Sequence, residues 1–205
     1  FTRGRERSRS IESIFEEVNK AVEDGFVEIT LLGQNVNSYR TPDGDFPILL
    51  DKVAKIKGVK RIRYTSPHPR DINEDVLKVM KKYDNICKNI HLPLQSGSTK
   101  ILKTMNRTYT KEEFLNLVRV IRDYLPNCSI STDIIVGFPG EDEFDFNETL
   151  DVVRKVKFDF SYMFKYSSRP GTKASHYTNQ VDEKVKQERL EKLISLQNEI
   201  RLKVN

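Results

Sequence analysis

Residues 131–141 read Ser-Thr-Asp-Ile-Ile-Val-Gly-Phe-Pro-Gly-Glu, and this stretch decides the fold class. The apolar run at residues 134–136 predicts a short strand that is buried on both faces, as in a parallel sheet. Gly137, Pro139 and Gly140 then predict a tight loop in which the backbone can approach a ligand closely. Because ligands of α/β proteins bind at the carboxyl ends of parallel strands, this loop is a candidate ligand site.

Asp133 lies next to the apolar run and is the first candidate functional side chain. Burying a bare carboxylate is costly, so we expect Asp133 to be buried together with a partner or a ligand. The alternative is a structural role in which Asp133 caps a neighbouring helix. This stretch alone leaves both interpretations open.

The composition is typical of a globular protein that is made in a reducing compartment. The chain has 205 residues, a net charge of +5, 37% hydrophobic and 32% charged residues, and its length suits one domain. Its two cysteines, Cys87 and Cys128, are far apart, which argues against a disulfide framework or a cysteine-based metal site within the chain. No apolar run approaches the roughly 20 residues of a membrane helix, so we expect a cytoplasmic protein without a membrane partner. The modest positive charge permits an anionic partner such as RNA.

Strand and helix signals alternate along the chain. This alternation predicts right-handed βα units around a parallel sheet. A closed eight-unit barrel needs about 250 residues, whereas this chain is shorter and opens on a helix. We therefore expect an α/β fold, an open and partial parallel βα barrel with five strands in this chain and the first strand missing. The five strands are predicted to begin near Phe26, Lys60, Asn89, Ser129 and Phe158.

Capping residues mark several helix ends. Ser10, Asn73 and Ser98 are predicted N-caps. Thr110 and Glu113 predict a capping box at the start of another helix. Further helices are predicted over residues 48–56, over residues 143–156 and from about residue 182 onward, and residues 41–45 are predicted to be a surface turn.

The five loops that follow the predicted strands are polar. In a βα fold such loops meet at one rim, and a purely structural protein has no reason to gather Gly, Ser, Gln, Asn, His and Arg there. We therefore expect a ligand at this rim. His68 has a structural alternative, because it can cap a turn between its two flanking prolines. The loops cover residues 33–37, 65–69, 95–98, 137–141 and 167–172.

The chain begins with Phe1 and runs directly into a segment that is rich in arginine. Arg3, Arg5, Arg7 and Arg9 stand there with one acidic residue among them. Guanidinium groups suit phosphate, so this segment can be a phosphate-binding arm, and the alternative is a solvated charged arm. The absence of an initial methionine leads us to expect a fragment of a longer protein.

Seven ordered motifs carry a resemblance to a known family. The sequence resembles the radical S-adenosylmethionine methylthiotransferases over nearly its whole length, and the loop at residues 33–37 is similar to that of the branch that acts on tRNA. The motifs are Thr-Arg-Gly-Arg-Glu-Arg-Ser-Arg (2–9), Leu-Leu-Gly-Gln-Asn-Val-Asn-Ser-Tyr (31–39), Thr-Ser-Pro-His-Pro (65–69), His-Leu-Pro-Leu-Gln-Ser-Gly-Ser (91–98), Met-Asn-Arg-Thr-Tyr-Thr (105–110), Thr-Asp-Ile-Ile-Val-Gly-Phe-Pro-Gly-Glu (132–141) and Tyr-Ser-Ser-Arg-Pro-Gly-Thr (166–172).

The resemblance implies that residues 1–205 form the radical S-adenosylmethionine core domain. The family's amino-terminal methylthiotransferase domain and carboxyl-terminal RNA-binding domain would be absent from this chain. The cofactors implied for the intact protein are S-adenosylmethionine and two [4Fe-4S] clusters. In the family, three cysteines that bind the catalytic cluster precede the arginine-rich motif, and Cys87 and Cys128 do not match them. We therefore expect no cluster and no metal in this fragment, which would be inactive alone.

The resemblance also implies roles in the cofactor site. Gln95 and Asp133 look like the pair that hydrogen-bonds the ribose of S-adenosylmethionine, because a carboxylate accepts hydrogen bonds from ribose hydroxyls. Arg107 looks like the residue that pairs with the methionine carboxylate, and its alternative is a solvated helix end. Further cofactor residues implied by the resemblance are Gly33 and Gln34 near the methionine end, Gly137 near the adenine, and Ser66 on the rim.

The implied activity is the addition of a methylthio group to N6-isopentenyladenosine beside the anticodon of a tRNA. A reductant protein would be a further partner, and a monomer is the expected state. Two alternatives remain: the same chemistry on a ribosomal-protein side chain, and a cofactor-free barrel fragment that only binds RNA. The residues that would meet RNA are Arg3, Arg5, Arg9, His68 and Arg169.

Overall fold

The computed structural model describes residues 7–65 and 68–204, so the predicted site residues Arg3, Arg5 and Ser66 lie outside the described residues. The α-helices are α1 (Ile11–Glu23), α2 (Phe46–Ala54), α3 (Glu74–Lys82), α4 (Thr99–Thr104), α5 (Lys111–Tyr124), α6 (Glu143–Val156) and α7 (Glu183–Val204). The strands are β1 (Glu28–Leu31), β2 (Arg40–Thr41), β3 (Gly44–Asp45), β4 (Arg61–Tyr64), β5 (Asn89–His91), β6 (Ser129–Val136) and β7 (Phe160–Lys165). Short 3-10 helices lie at Val36–Ser38, Pro69–Asp71 and Lys173–His176.

The described residues divide into two compact units. The amino-terminal unit holds the described residues up to Asn89 together with Tyr124–Asn127. The carboxyl-terminal unit holds Ile90–Asp123 and the described residues from Cys128 onward.

In the amino-terminal unit, β1 and β4 pair in parallel, with Glu28 opposite Arg61 and Leu31 opposite Tyr64. Removal of apolar side chains from water is the main term that holds such a unit together. The predicted surface turn at residues 41–45 overlaps the short antiparallel pair β2–β3, in which Thr41 lies opposite Gly44, and the sequence analysis did not predict this pair. The fully buried side chains of this unit include Phe46, Leu50, Ile62, Leu77, Met80 and Ile86.

In the carboxyl-terminal unit, β6 lies between β5 and β7. β6 and β7 are parallel, with Ser131 opposite Phe160 and Val136 opposite Lys165. Gln95 extends the parallel pairing beyond β5 to Ile134 of β6. The core of this unit includes the fully buried side chains Ile90, Leu92, Phe114, Phe146 and Phe158.

The predicted fold class is confirmed. The parallel strands begin at Glu28, Arg61, Asn89, Ser129 and Phe160, within two residues of the predicted starts. They close no barrel in the described part of the chain, in agreement with an open, partial barrel. No helix among residues 7–65 and 68–204 combines the length and the apolar character that a membrane crossing requires.

The capping predictions are confirmed at the level of single hydrogen bonds. Asn73 accepts a hydrogen bond from the Val76 N–H at 3.0 Å. Thr110 accepts from the Glu113 N–H at 3.2 Å, and its own N–H donates to Glu113 Oε2 at 2.8 Å, which is the reciprocal pattern of a capping box. Ser10 and Ser98 also cap their helices through their side chains.

The prediction that the strand before the loop is buried on both faces was wrong. Residues at even positions of β6, from Ile130 to Val136, are buried, whereas those at odd positions are only partly buried. The Asp133 side chain remains 31% exposed, so its predicted burial was wrong too. The reason is that the apolar packing covers one face of β6, while the other face carries Ser131, Asp133 and Ile135, of which Ile135 lines a cavity.

Candidate functional site

A cavity of about 1000 Å³ lies at the carboxyl ends of β5, β6 and β7 in the carboxyl-terminal unit. The loops after these three strands all contribute to its wall, as the alternation of strands and helices predicted. Its volume is at the upper end of the about 300–1,000 Å³ that is usual for small-molecule sites. The lining residues that matter below are Gln95, Lys103, Arg107, Ile135, Phe164, Tyr166, Arg169, Lys173 and Tyr177.

Gln95 lies in the cavity wall, as expected for a ligand-binding residue, and its backbone adopts the left-handed conformation with φ 65°. Such a conformation is costly for a non-glycine residue and persists only where the surroundings fix it. Here β6 fixes it, because the Gln95 N–H donates to the Asp133 carbonyl at 2.8 Å and the Ile135 N–H donates to the Gln95 carbonyl at 2.9 Å. The side chain is therefore presented to the cavity by a rigid backbone.

Gly97 anchors the same loop to α6. A Cβ at this position would lie 2.4 Å from the Thr149 Cα and 2.5 Å from the Glu148 carbonyl oxygen. The Gly97 N–H also donates to Thr149 Oγ1 at 2.9 Å. Only glycine permits this close approach of two backbones.

Gly97→Ala is expected to lower the free energy of unfolding by about 1–3 kcal/mol, because the new methyl group meets backbone atoms that cannot rotate away. Urea unfolding followed by circular dichroism measures this change. Gly33→Ala is the control, since a Cβ there lies 3.4 Å from its nearest neighbour, in ordinary contact. Equal stability of the two variants would contradict the account of Gly97.

Arg107 follows α4 and also lines the cavity. Its N–H donates to the Leu102 carbonyl at 2.8 Å, and the preceding residue, Asn106, has a left-handed backbone with φ 59°. The Nε atom is buried and has no hydrogen-bond partner in the described part of the chain. A buried guanidinium N–H without an acceptor is costly, so this geometry favours an anionic ligand over a solvated helix end.

Asp133 is held by His91 of the neighbouring strand. His91 Nε2 lies 3.1 Å from Asp133 Oδ2, and His91 Nδ1 lies 3.0 Å from Ser131 Oγ. One neutral tautomer satisfies both contacts: Nε2–H donates to the carboxylate and Nδ1 accepts from the serine hydroxyl. Sequence analysis gave His91 no role, and its signal, a histidine in a strand, does not reveal the cross-strand partner.

Gly137 and Gly140 take left-handed backbone conformations in the loop after β6, with φ values of 72° and 84°. The Gly137 N–H donates to Glu141 Oε1 at 2.8 Å. A Cβ on Gly137 would lie 2.3 Å from Lys186 Cγ, so its α-carbon faces α7. The contact with adenine that the resemblance implies for Gly137 stays a prediction, and it would have to use the side of Gly137 that α7 does not cover.

Glu141 and Arg189 form a buried ion pair that ties this loop to α7. Arg189 Nη1 donates to Glu141 Oε1 at 2.9 Å and to the Glu141 carbonyl at 3.1 Å, and the side chains are 7% and 1% exposed, respectively. Burial raises the pKa of Glu141 to about 7, although Arg189 and the Gly137 N–H both favour the charged form. The shape of the loop thus depends on a residue 48 positions away in the chain.

In the amino-terminal unit, the loops after β1 and β4 are joined through Asn35. Its amide oxygen accepts from the His68 N–H at 3.2 Å, and its amide nitrogen donates to Asp71. His68 Nδ1 accepts from the Arg70 N–H at 3.3 Å, which confirms the structural alternative for His68 as a cap. Gly33 and Gln34 lie exposed in the loop after β1.

Arg9 lies just before α1 and is already paired. Its guanidinium donates to Glu17, and Nη2 donates to Ser13 Oγ at 2.8 Å. This partner offsets the charge that the sequence analysis assigned to phosphate binding. A role of Arg9 toward RNA stays a prediction.

The cavity wall carries positive charge and aromatic rings that sequence analysis left without a role. The alternation of Phe160, Tyr162 and Phe164 along β7 signals an apolar strand face, but that signal does not distinguish a core from a cavity wall. Phe164 is 52% exposed, and both Phe164 and Tyr166 line the cavity. Lys103, Lys173 and Tyr177 also lacked any motif signal.

The described residues hold no group of three or more His, Cys, Asp or Glu side chains that is arranged to bind a metal ion. The whole sequence has two cysteines, which is fewer than the three thiolates of the expected catalytic cluster. The residues of this chain therefore do not fit an iron–sulfur cluster. Gln95 and Arg107 line the cavity, whereas Asp133 is not among its lining residues, and the predicted roles of all three toward S-adenosylmethionine stay predictions.

A partial βα barrel with its cavity at the carboxyl ends of the strands is the core of a large class of enzymes, and this chain belongs to the radical S-adenosylmethionine superfamily. The family described as "Radical SAM superfamily" matches residues 1–153. Two solved structures share the fold: coproporphyrinogen III oxidase from Escherichia coli, with a TM-score of 0.63, 15% identity and coverage of 93% of this chain and 46% of that chain, and methylornithine synthase, with a TM-score of 0.59, 16% identity and coverage of 95% and 56%.

Much higher sequence identity is found with curated bacterial proteins. The chain is 51% identical over 208 residues to the tRNA-2-methylthio-N(6)-dimethylallyladenosine synthase of Acetivibrio thermocellus, covering 100% of this chain and 43% of that protein. It is 53% identical over 205 residues to the protein of the same name from Parabacteroides distasonis, covering 98% of this chain and 45% of that protein. The chain thus spans less than half the length of the curated relatives it matches.

Proposed function

We propose that this chain is the S-adenosylmethionine-binding core of a tRNA methylthiotransferase that adds a methylthio group to N6-isopentenyladenosine beside the anticodon. The observation that carries the proposal is the identity of about half of all residues, over the entire chain, to proteins named for this reaction. The cavity adds physical support, because its wall offers the groups that an amino-acid nucleoside needs. Residues 1–205 would form the core domain, with the other two domains of the enzyme outside this chain.

Each end of S-adenosylmethionine has a suitable group in the carboxyl-terminal unit. Arg107 would bind the methionine carboxylate through its unpartnered Nε, and Gln95 would hydrogen-bond the ribose from its rigid backbone. Asp133 would accept from a ribose hydroxyl through Oδ1, since His91 occupies Oδ2. Gly33, Gln34, Ser66 and Gly137 would complete the cofactor site.

S-adenosylmethionine, bound beside a [4Fe-4S] cluster, supplies the radical chemistry of such an enzyme. The contribution of this chain is to bind and orient the cofactor and to keep water from the reacting atoms. Both clusters of the proposed enzyme would take their ligands from segments outside this chain. A reductant protein would be a partner, and we propose a monomer in the cytoplasm.

His91→Ala is expected to raise the Kd for S-adenosylmethionine about three- to tenfold, because Asp133 loses the hydrogen bond that orients it. Titration calorimetry on the cluster-containing protein that carries this chain measures the effect. His91→Gln, whose amide can donate to Asp133, is expected to recover part of the affinity. The control is His176→Ala, since His176 is exposed at the end of the 3-10 helix Lys173–His176. Affinity unchanged in His91→Ala would contradict the role of His91.

The same titration tests the proposed cofactor. Binding of S-adenosylmethionine to the wild-type protein supports the enzymatic reading. A folded, cluster-containing protein that does not bind it would contradict that reading and favour a fragment that only binds RNA. Discrimination between a tRNA and a ribosomal-protein substrate requires a product assay with both.

A further inference from the structure

The cavity wall carries more positive charges than S-adenosylmethionine has negative groups to pair with them. Lys103, Arg107, Lys165, Arg169 and Lys173 line the cavity, and no acidic residue does so in the described part of the chain. Lys165 is compensated by Glu183 at 2.6 Å. S-adenosylmethionine carries one carboxylate and a cationic sulfonium, so it matches Arg107 and would be repelled by further cations.

Three cations therefore remain for another ligand. Lys103 projects from α4, and Arg169 and Lys173 belong to the segment after β7. All three residues are exposed, and within the described residues no ion pair engages them. We call these three residues the rim cations. A rim of positive charge without acids attracts an anion, and a row of such charges suits a polyanion.

The aromatic residues of the cavity wall indicate that the anion also carries flat rings that can stack on them. Phe164 and Tyr177 line the same cavity as the rim cations, and Phe164 presents half of its surface to solvent. The hydroxyl of Tyr166, another lining residue, is buried without a partner in the described chain, so a polar ligand group would relieve an existing cost. Cations that follow a backbone, combined with rings on which bases stack, are the signature of single-stranded nucleic acid sites. An acidic peptide would use the cations but not the rings.

We propose that the rim cations bind the phosphates of the single-stranded RNA that flanks the nucleotide to be modified, and that Phe164 provides a stacking surface for a base. This inference rests on the proposed function and adds the place where RNA enters. It extends the predicted RNA contact of Arg169 to Lys103 and Lys173. It also places RNA and cofactor in one cavity, which the volume of about 1000 Å³ accommodates.

The test measures binding of an anticodon stem-loop RNA that carries isopentenyladenosine, over a range of salt concentrations. The variant Lys103→Gln/Arg169→Gln/Lys173→Gln is expected to reduce the salt slope by about 2, at about 0.7 for each phosphate contact with a single strand. Phe164→Leu is expected to weaken binding about tenfold without changing that slope, because it removes stacking and no charge. Affinity for S-adenosylmethionine should not fall in either variant, since neither removes a group that is proposed to bind the cofactor.

The matched control is Arg154→Gln/Lys184→Gln/Lys192→Gln, which removes the same charge from exposed positions of α6 and α7. An equal loss of slope in the control and the rim variant would overturn the inference, because the effect would then come from net charge. RNA binding that is unchanged in the rim variant would overturn it as well, while leaving the proposed function intact. A wild-type protein that binds S-adenosylmethionine but not this RNA would overturn both the inference and the choice of a tRNA substrate.

Discussion

Replacing Arg189 with Met is expected to lower the free energy of unfolding by about 3–5 kcal/mol, the usual cost of removing one partner of a buried ion pair. Glu141 would be left buried with the Gly137 N–H as its remaining donor. Methionine approximates the length of the arginine stem and keeps the helix propensity of α7, so the loss reports the charge. Because the pair fixes the loop after β6, this variant should also bind S-adenosylmethionine less tightly. Chemical denaturation at pH 8 measures the stability.

The loss in Arg189→Met should shrink as the pH falls. Burial already raises the pKa of Glu141 from 4.5 to about 7, and removal of the Arg189 charge raises that pKa further. The pKa of Glu141 is higher in the folded state than in the unfolded state. Its carboxyl group therefore makes its whole contribution to the free energy of unfolding below pH 4.5, and this contribution is lost as the pH rises through the folded-state pKa. The free energy of unfolding of Arg189→Met should therefore change more between pH 5 and pH 8 than that of Lys192→Met. Lys192 is an exposed control on the same helix. Parallel pH profiles would contradict this account.

Replacing Arg107 with Ala is expected to raise the Kd for S-adenosylmethionine about 10- to 100-fold, which is the range for a lost hydrogen bond to a charged group. The Nε of Arg107 is a buried donor that has no hydrogen-bond partner among the described residues, so the cost of removing it from water does not have to be met again when the ligand binds. Titration calorimetry on the cluster-containing protein measures the change. Arg107→Lys should recover little, because a single ammonium cannot reproduce the planar fork of a guanidinium.

Arg154→Ala, an exposed arginine of α6, is the control for Arg107→Ala and should leave the affinity unchanged. S-adenosylhomocysteine provides a second check, since it keeps the carboxylate and lacks the sulfonium charge. Its affinity should fall by the same factor in Arg107→Ala. An unchanged affinity for both ligands would remove Arg107 from the cofactor site.

The fold was predictable because local signals and the global pattern agree. Alternating strands and helices, and caps such as Asn73 and Thr110, depend on neighbours within a few residues. The loop after β5 was likewise predicted from its polar residues to lie at the rim of the strands, and Gln95 of this loop does line the cavity. These features need no knowledge of which distant segments come together.

The parts that sequence analysis missed depend on contacts between distant residues. Burial of both faces of β6 was expected from its apolar run, but an apolar run does not reveal that one face adjoins a cavity. His91 contacts Asp133, which lies 42 positions later in the chain. Glu141 likewise pairs with Arg189, which lies 48 positions later. Lys103 and Lys173 belong to no motif either, since α4 and the segment after β7 meet only in the folded chain.

The most direct test of the central claim is nucleoside analysis by mass spectrometry. The longer protein that carries this chain would be expressed in bacteria from which the native tRNA methylthiotransferase has been deleted, and their tRNA would be digested and analysed. The account predicts that methylthio-isopentenyladenosine reappears with the wild-type protein and is lost with Arg107→Ala. If unmodified isopentenyladenosine accumulates with the wild-type protein, although that protein is folded and contains its clusters, the result would contradict the account.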